Sequence, residues 1–147
     1  MNLSTEKTPQ QKLSNFSIEN VSAVNITHLL INNLKEVAQA SDELNQQAGC
    51  NKAIPHVAAR NIRNEYELEN FVKFCISKKI DKALVIGGSI PRNFNNIFQN
   101  DFEVAAILKS ANIKVDCGIY PQNESEMEIR TKLKIFNNAI TQLCMDP

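Results

Sequence analysis

Apolar residues in this chain gather in short dense runs separated by longer amphipathic stretches. The runs are Phe16 to Glu19 (FSIE), Ala23 to Leu30 (AVNITHLL), Lys52 to Ala59 (KAIPHVAA), Lys82 to Gly88 (KALVIGG), Ile113 to Tyr120 (IKVDCGIY) and Ala139 to Cys144 (AITQLC). Runs of this kind read as strands buried on both faces of a parallel sheet. Pro55 argues against a central strand unless it stands at a strand end. Between the runs the period changes to that of helices. The stretch from Ile31 to about Gln47 is rich in Ala, Leu, Glu, Lys and Gln. Asn64 is a good N-cap with Glu65 and Glu67 in the first turn, and Leu68, Phe71, Val72 and Cys75 share one face. Further helices are expected over about 100–110, on Phe102, Ala105, Ala106 and the Lys109 stem, and over about 125–137, on Ile129, Leu133 and Phe136. A strand–helix unit recurring every 30 or so residues is the spacing of right-handed βαβ crossovers, so the fold class is parallel α/β.

Composition narrows this picture. With 147 residues and 43% apolar side chains the chain suffices for one domain with a real core. Residues 1–13 are polar without an apolar period and read as a disordered tail, leaving 14–147 as the folded part. Sixteen basic residues offset sixteen acidic ones, and no like-charge run suggests nucleic acid or a membrane surface as partner. Cys50, Cys75, Cys117 and Cys144 form no CxxC pair and read as reduced, mostly buried thiols. No secretory segment or long apolar stretch is evident, so a soluble cytoplasmic protein is expected.

In parallel α/β folds the site lies at the carboxyl ends of the strands. The residues closing these runs are Glu19, Thr27 with His28, His56, Gly87-Gly88-Ser89, Tyr120 and Gln142. Each has a plain structural role open to it. Glu19 serves equally as a solvated strand end, His56 and still more His28 as structural hydrogen-bonders, the glycines as relief in a turn, Gln142 as a partner for backbone groups, and Phe98 as core. A lone Gly-Gly is not a dinucleotide fingerprint.

Taken in order, IPHVAAR, ALVIGGSIPR, CGIYPQ and AITQLCMD resemble the methylenetetrahydrofolate reductase family, especially its small bacterial relatives. The resemblance runs from about Phe16 onward and is densest from Ile54. It implies a TIM-type (β/α) barrel holding FAD across its strand ends, which moves a hydride from NADH or NADPH through the flavin to methylenetetrahydrofolate. The product, methyltetrahydrofolate, feeds methionine synthesis. By resemblance Gln142 engages the folate pterin and Glu19 is the acid that helps open the methylene bridge, with its pKa raised by partial burial. Thr27, His56, Ile86, Gly87, Gly88, Ser89, Phe98, Tyr120 and Lys132 fall where the family contacts FAD, the glycines because backbone comes close to the flat ring system.

The sequence departs from that pattern in three places. Ser89 stands where the family has an aspartate near the flavin, Glu124 stands near a usual histidine, and the spacing from Glu19 to His56 is too short for two complete βα units. Either a helix is deleted before VNITHLL or FSIE is not the first strand. The missing acid keeps a second reading in play: a degenerate, non-catalytic barrel that binds flavin or folate or contacts another subunit. A closed barrel takes eight strands and about 250 residues, and six strand candidates are present here. The expectation is therefore an incomplete barrel whose open edges favour self-association or a covering partner chain.

Overall fold

A computed structural model of the chain describes residues 4–11, 21–88, 96–119, 127, 130 and 142–143. Six strands form one sheet in the order of the sequence: β1 (Ser4–Lys7), β2 (Ala23–Ile26), β3 (Ala53–Ala58), β4 (Lys82–Ile86), β5 (Lys114–Ile119) and β6 (Gln142–Leu143). Every neighbouring pair is parallel. Parallel neighbours need a crossover each. Those after β2, β3 and β4 contain α1 (Leu34–Ala48), α2 (Glu65–Lys78) and α3 (Asp101–Ser110).

The burial pattern shows how the layers meet. Val57 of β3, Ala83 and Val85 of β4, and Val115 and Cys117 of β5 share one apolar cluster with Leu34 and Ala38 of α1, Leu68, Phe71 and Cys75 of α2, and Val104, Ala105 and Leu108 of α3. Val24 and Ile26 of β2 and Ala53 of β3 pack with Val37, Ala40 and Leu44 of α1. These strand residues are spaced two apart, so they lie on one face of the sheet. α1, α2 and α3 therefore cover the same face, as in one wall of a barrel, whereas a doubly wound sheet reverses strand order and has helices on both faces. Asn25, Ile54, His56, Ala58, Leu84, Ile86 and Asp116 fall on the other parity and form the opposite face.

Local signals explain the helix boundaries. Asn33 and Glu36 form a reciprocal capping box at the start of α1, and Gly49 ends it in the left-handed conformation at φ 74°. The Asn64 side chain accepts from the Glu67 N–H to cap α2. Lys79 closes α2 at φ 58°, a place usually held by glycine.

Several expectations need correction. The polar N-terminus is not wholly a loose tail, because Ser4–Lys7 is the first strand and pairs with β2. The first described strand therefore ends at Lys7, and the FSIE run with Glu19 lies outside the described residues. Polarity hid β1: Lys7 is 3% exposed despite its charge, and burial lowers its pKa while Glu43 partly offsets that shift. β2 stops at Ile26, earlier than AVNITHLL suggested, and leaves Leu29, Leu30 and Ile31 exposed. Pro55 lies inside β3, just before the ladder to β4 begins at His56. On α3 the inward residues are Val104, Ala105 and Leu108, while Ala106 and Lys109 face solvent and Phe102 is half-buried. Of the helix expected over 125–137, Met127 and Arg130 are described and are helical. Cys75 and Cys117 are buried but Cys50 is exposed. Among the described residues no helix is long and apolar enough to cross a membrane.

Candidate functional site

Among the described residues, the buried polar side chains of His28, His56 and Asn61 gather at the carboxyl edge of β2 and β3, next to the end of β4. β2 ends at Ile26, and Thr27 stays linked to β1 through its N–H, which donates to the Lys7 carbonyl at 3.0 Å. Past Thr27 the backbone leaves the sheet, and the His28 ring takes over the pairing. Its Nδ1 accepts the Ala58 N–H at 2.9 Å, satisfying a donor at the end of β3 that would otherwise be orphaned. After β3 a single 3₁₀ turn, Ala59–Asn61, brings Asn61 back over the same edge, where its Nδ2 donates to the His28 carbonyl at 3.3 Å.

An acceptor role fixes the protonation of His28. With Nδ1 accepting, the neutral ring carries its hydrogen on Nε2. That Nε2–H has no hydrogen-bond partner among the described residues, nor do Nε2 of His56, Oδ1 of Asn61 and both amide atoms of Asn32. These side chains are only 3%, 6%, 7% and 1% exposed for His28, His56, Asn61 and Asn32. Burial pushes both imidazoles down to about 4. For His28 the Glu67 charge opposes that shift and Arg63 adds to it, and for His56 the neighbouring His28 adds to it. Both rings are therefore neutral at pH 7, offering hydrogen bonds without charge.

Gly87 and Gly88 follow β4 at the same edge. The Arg60 N–H donates to the Gly87 carbonyl at 2.9 Å, and the Arg60 guanidinium donates to the Gly88 carbonyl at 2.9 Å and the Gln99 carbonyl at 3.1 Å. A Cβ on Gly87 would come within 2.8 Å of Arg60 Nη1, and one on Gly88 within 2.8 Å of Asn61 Oδ1. Gly88 also has φ 101°, a conformation that disfavours side chains. The room that these glycines leave is filled by Arg60 and Asn61 rather than standing open as a flat cradle.

The structure brings together Thr27, His56, Ile86, Gly87 and Gly88 from the expected set. Phe98 packs against the apolar core instead, the plain role available to it. Gln142 opens the two-residue β6 and pairs with Gly118 of β5. Glu19, Ser89, Tyr120 and Lys132 lie outside the described residues. His28 has the structural role expected of it, while Asn32, Arg60 and Asn61 are additions to the expected set. Their signal is the polar run after a buried strand, Arg60-Asn61 following IPHVAA, and the Asn32-Asn33 pair following LLI.

A separate groove of about 580 Å³ lies on the helical side, between the first turns of α1 and α2, lined by Asn33, Lys35, Arg63, Tyr66, Glu67 and Phe74 among others. Its terminal donors are already engaged: the Glu67 carboxylate accepts the Leu34 N–H at 2.9 Å and the Arg63 N–H at 2.8 Å. The strand-end group, with its unmet polar atoms, is the better candidate site.

No family model matches the chain, and no curated protein does. Among solved structures, a crystal structure from Streptomyces coelicolor described provisionally as chitinase A aligns with a TM-score of 0.54 and 10% identity over 98% of this chain. The chain spans 59% of that structure's length. At such identity the likeness is one of fold alone and agrees with the parallel α/β architecture.

Proposed function

We propose that the sheet is part of the wall of a TIM-type (β/α) barrel, and that its strand-end group binds a flavin in a methylenetetrahydrofolate reductase-type reaction. The observation that carries this reading is the clustering at one carboxyl edge of Thr27, the neutral His28 and His56, and the Gly87-Gly88 turn, each from one of three consecutive parallel strands. FAD, when bound, supplies the hydride chemistry between NADH or NADPH and methylenetetrahydrofolate. The unpartnered polar atoms fit a heterocycle rich in carbonyl and N–H groups. The glycines do not offer the cradle that the resemblance implies, so Thr27, His28, His56 and Asn61 are the groups that would hold the ring. Neutral imidazoles orient such a ring without imposing a charge on it, and Arg60 fixes the β4 turn behind them. Gln142 would meet the pterin and Glu19 would supply the acid. The protein would act in the cytoplasm, alone or with a chain that covers the sheet edges.

A second reading is favoured by the filled space beside Gly87 and Gly88: a non-catalytic barrel wall that binds flavin or folate, or contacts another subunit, without turnover. Flavin uptake and bleaching decide between the readings. The reductase predicts that purified protein retains FAD and that NADH or NADPH bleaches its absorbance. Bound flavin that no nicotinamide reduces supports the second reading, and protein that takes up no flavin refutes the first.

A further inference from the structure

The groove between α1 and α2 is open to solvent, and its side chains divide it into an apolar end and a cationic end. Tyr66, Asn70 and Phe74 line it from α2, spaced four apart along one stripe of about 12 Å at the helical rise. Ala38 and Phe71 form its floor, each 1% exposed and part of the core, and Phe74 is half-buried beside them. Lys35 and Arg63 stand at the other end, where the two helices begin. One carboxylate, that of Glu67, accepts both the Leu34 and the Arg63 N–H, so the backbone segments that carry the two cations lie within the span of a single carboxylate. Among the described residues neither Lys35 nor Arg63 is in an ion pair, and the Arg63 guanidinium makes a long contact of 3.5 Å to the Leu30 carbonyl. Positive charge at the amino-terminal end of a helix is unfavourable, because the helix dipole is itself positive there. Two such cations open onto one groove.

We infer that this groove binds a small amphipathic anion, a carboxylate on a linear apolar chain, with the carboxylate paired to Lys35 and Arg63 and the chain laid along Phe71 and Phe74. The anion supplies the counter-charge that the helix ends lack, and the tail covers aromatic surface that the helices leave partly exposed. Both Glu67 oxygens are already occupied by N–H groups, so they do not compete for the two cations. A volume of about 580 Å³ is in the range of small-ligand sites. The groove lies on the helical side, across the sheet from the His56 face, and its occupancy is independent of the flavin reading.

The test titrates the full chain by calorimetry with octanoate, with octanamide, which keeps the tail without the charge, and with acetate, which keeps the charge without the tail. Octanoate should bind about ten-fold more tightly than octanamide, the worth of a charge-assisted contact, and acetate should not bind measurably. Lys35→Gln and Arg63→Gln should each weaken octanoate by about the same ten-fold and leave octanamide unchanged. Asn70→Trp, a change at an exposed position that fills the groove, should abolish binding of both, with melting curves to confirm that each variant is folded. Absence of octanoate binding, equal affinity for octanoate and octanamide, or acetate binding as tight as octanoate overturns the inference. So does octanoate affinity that survives Lys35→Gln and Arg63→Gln, or that persists in Asn70→Trp.

Discussion

The His28 imidazole accepts the backbone N–H of Ala58 at 2.9 Å, so a side chain from one strand end completes the hydrogen bonding of the next. This bond lets β2 leave the sheet at Ile26 without orphaning the end of β3. It also sets the tautomer of a ring whose other nitrogen is buried and has no partner among the described residues. A structural bond and a chemical capability thus reside in one residue.

Acid should destabilise the fold through the two histidines. Both pKa values fall from 6.5 to about 4 on folding. Because the folded values are lowered, the unfolded chain binds protons first; the stabilisation is present in full above pH 6.5 and is lost as pH falls towards 4. The linked loss is at most about 3 kcal/mol per ring. Urea unfolding at pH 7, 5.5 and 4.5 should show a falling midpoint, with a shallower fall in His56→Asn. A midpoint unchanged across that range would show that the rings are not held neutral.

Gly88→Ala should cost about 1–3 kcal/mol, since φ 101° strains any side chain and the new Cβ would meet Asn61 Oδ1 at 2.8 Å. Pairing it with Asn61→Gly should recover the steric part and leave the backbone part. A single variant as stable as wild type in denaturant titration would mean that the turn readily adopts another conformation.

Glu67→Ala should lower stability by about 1–2 kcal/mol, more than an ordinary exposed carboxylate would. Its two oxygens receive the Leu34 and Arg63 N–H groups and so join the start of α1 to the segment entering α2. Hydrogen exchange should quicken in the first turn of α1 as well as near α2. Exchange altered only near α2 would contradict the bridging role.

Gln142→Ala should weaken folate-dependent reduction far more than FAD binding if its amide engages the pterin. Parallel titrations of FAD uptake and of flavin reoxidation by methylenetetrahydrofolate make the comparison. Equal loss of both would assign Gln142 a structural role in pairing β6 with β5.

The sequence by itself determined the parallel α/β class and most strand and helix positions, because burial on both faces and helical periodicity are written into contiguous residues. The cap at Asn64, the Leu68, Phe71 and Cys75 stripe and the KALVI strand are local signals of that kind. It also placed Thr27, His56 and Gly87-Gly88 near one edge, since strand ends in a parallel sheet share one side. Tertiary structure alone decided the rest. Ser4–Lys7 carries no apolar run, and only its pairing with β2 makes it a strand. The inward face of α3 follows from where β4 and β5 lie, and Phe98 joins the core for the same reason. Nothing in a linear reading shows that Arg60 and Asn61 would fill the space beside two glycines more than 25 positions away, or that His28 would spend one nitrogen on Ala58 and leave the other unmatched. Those facts depend on distances between segments remote in sequence, and such distances exist only once the sheet has assembled.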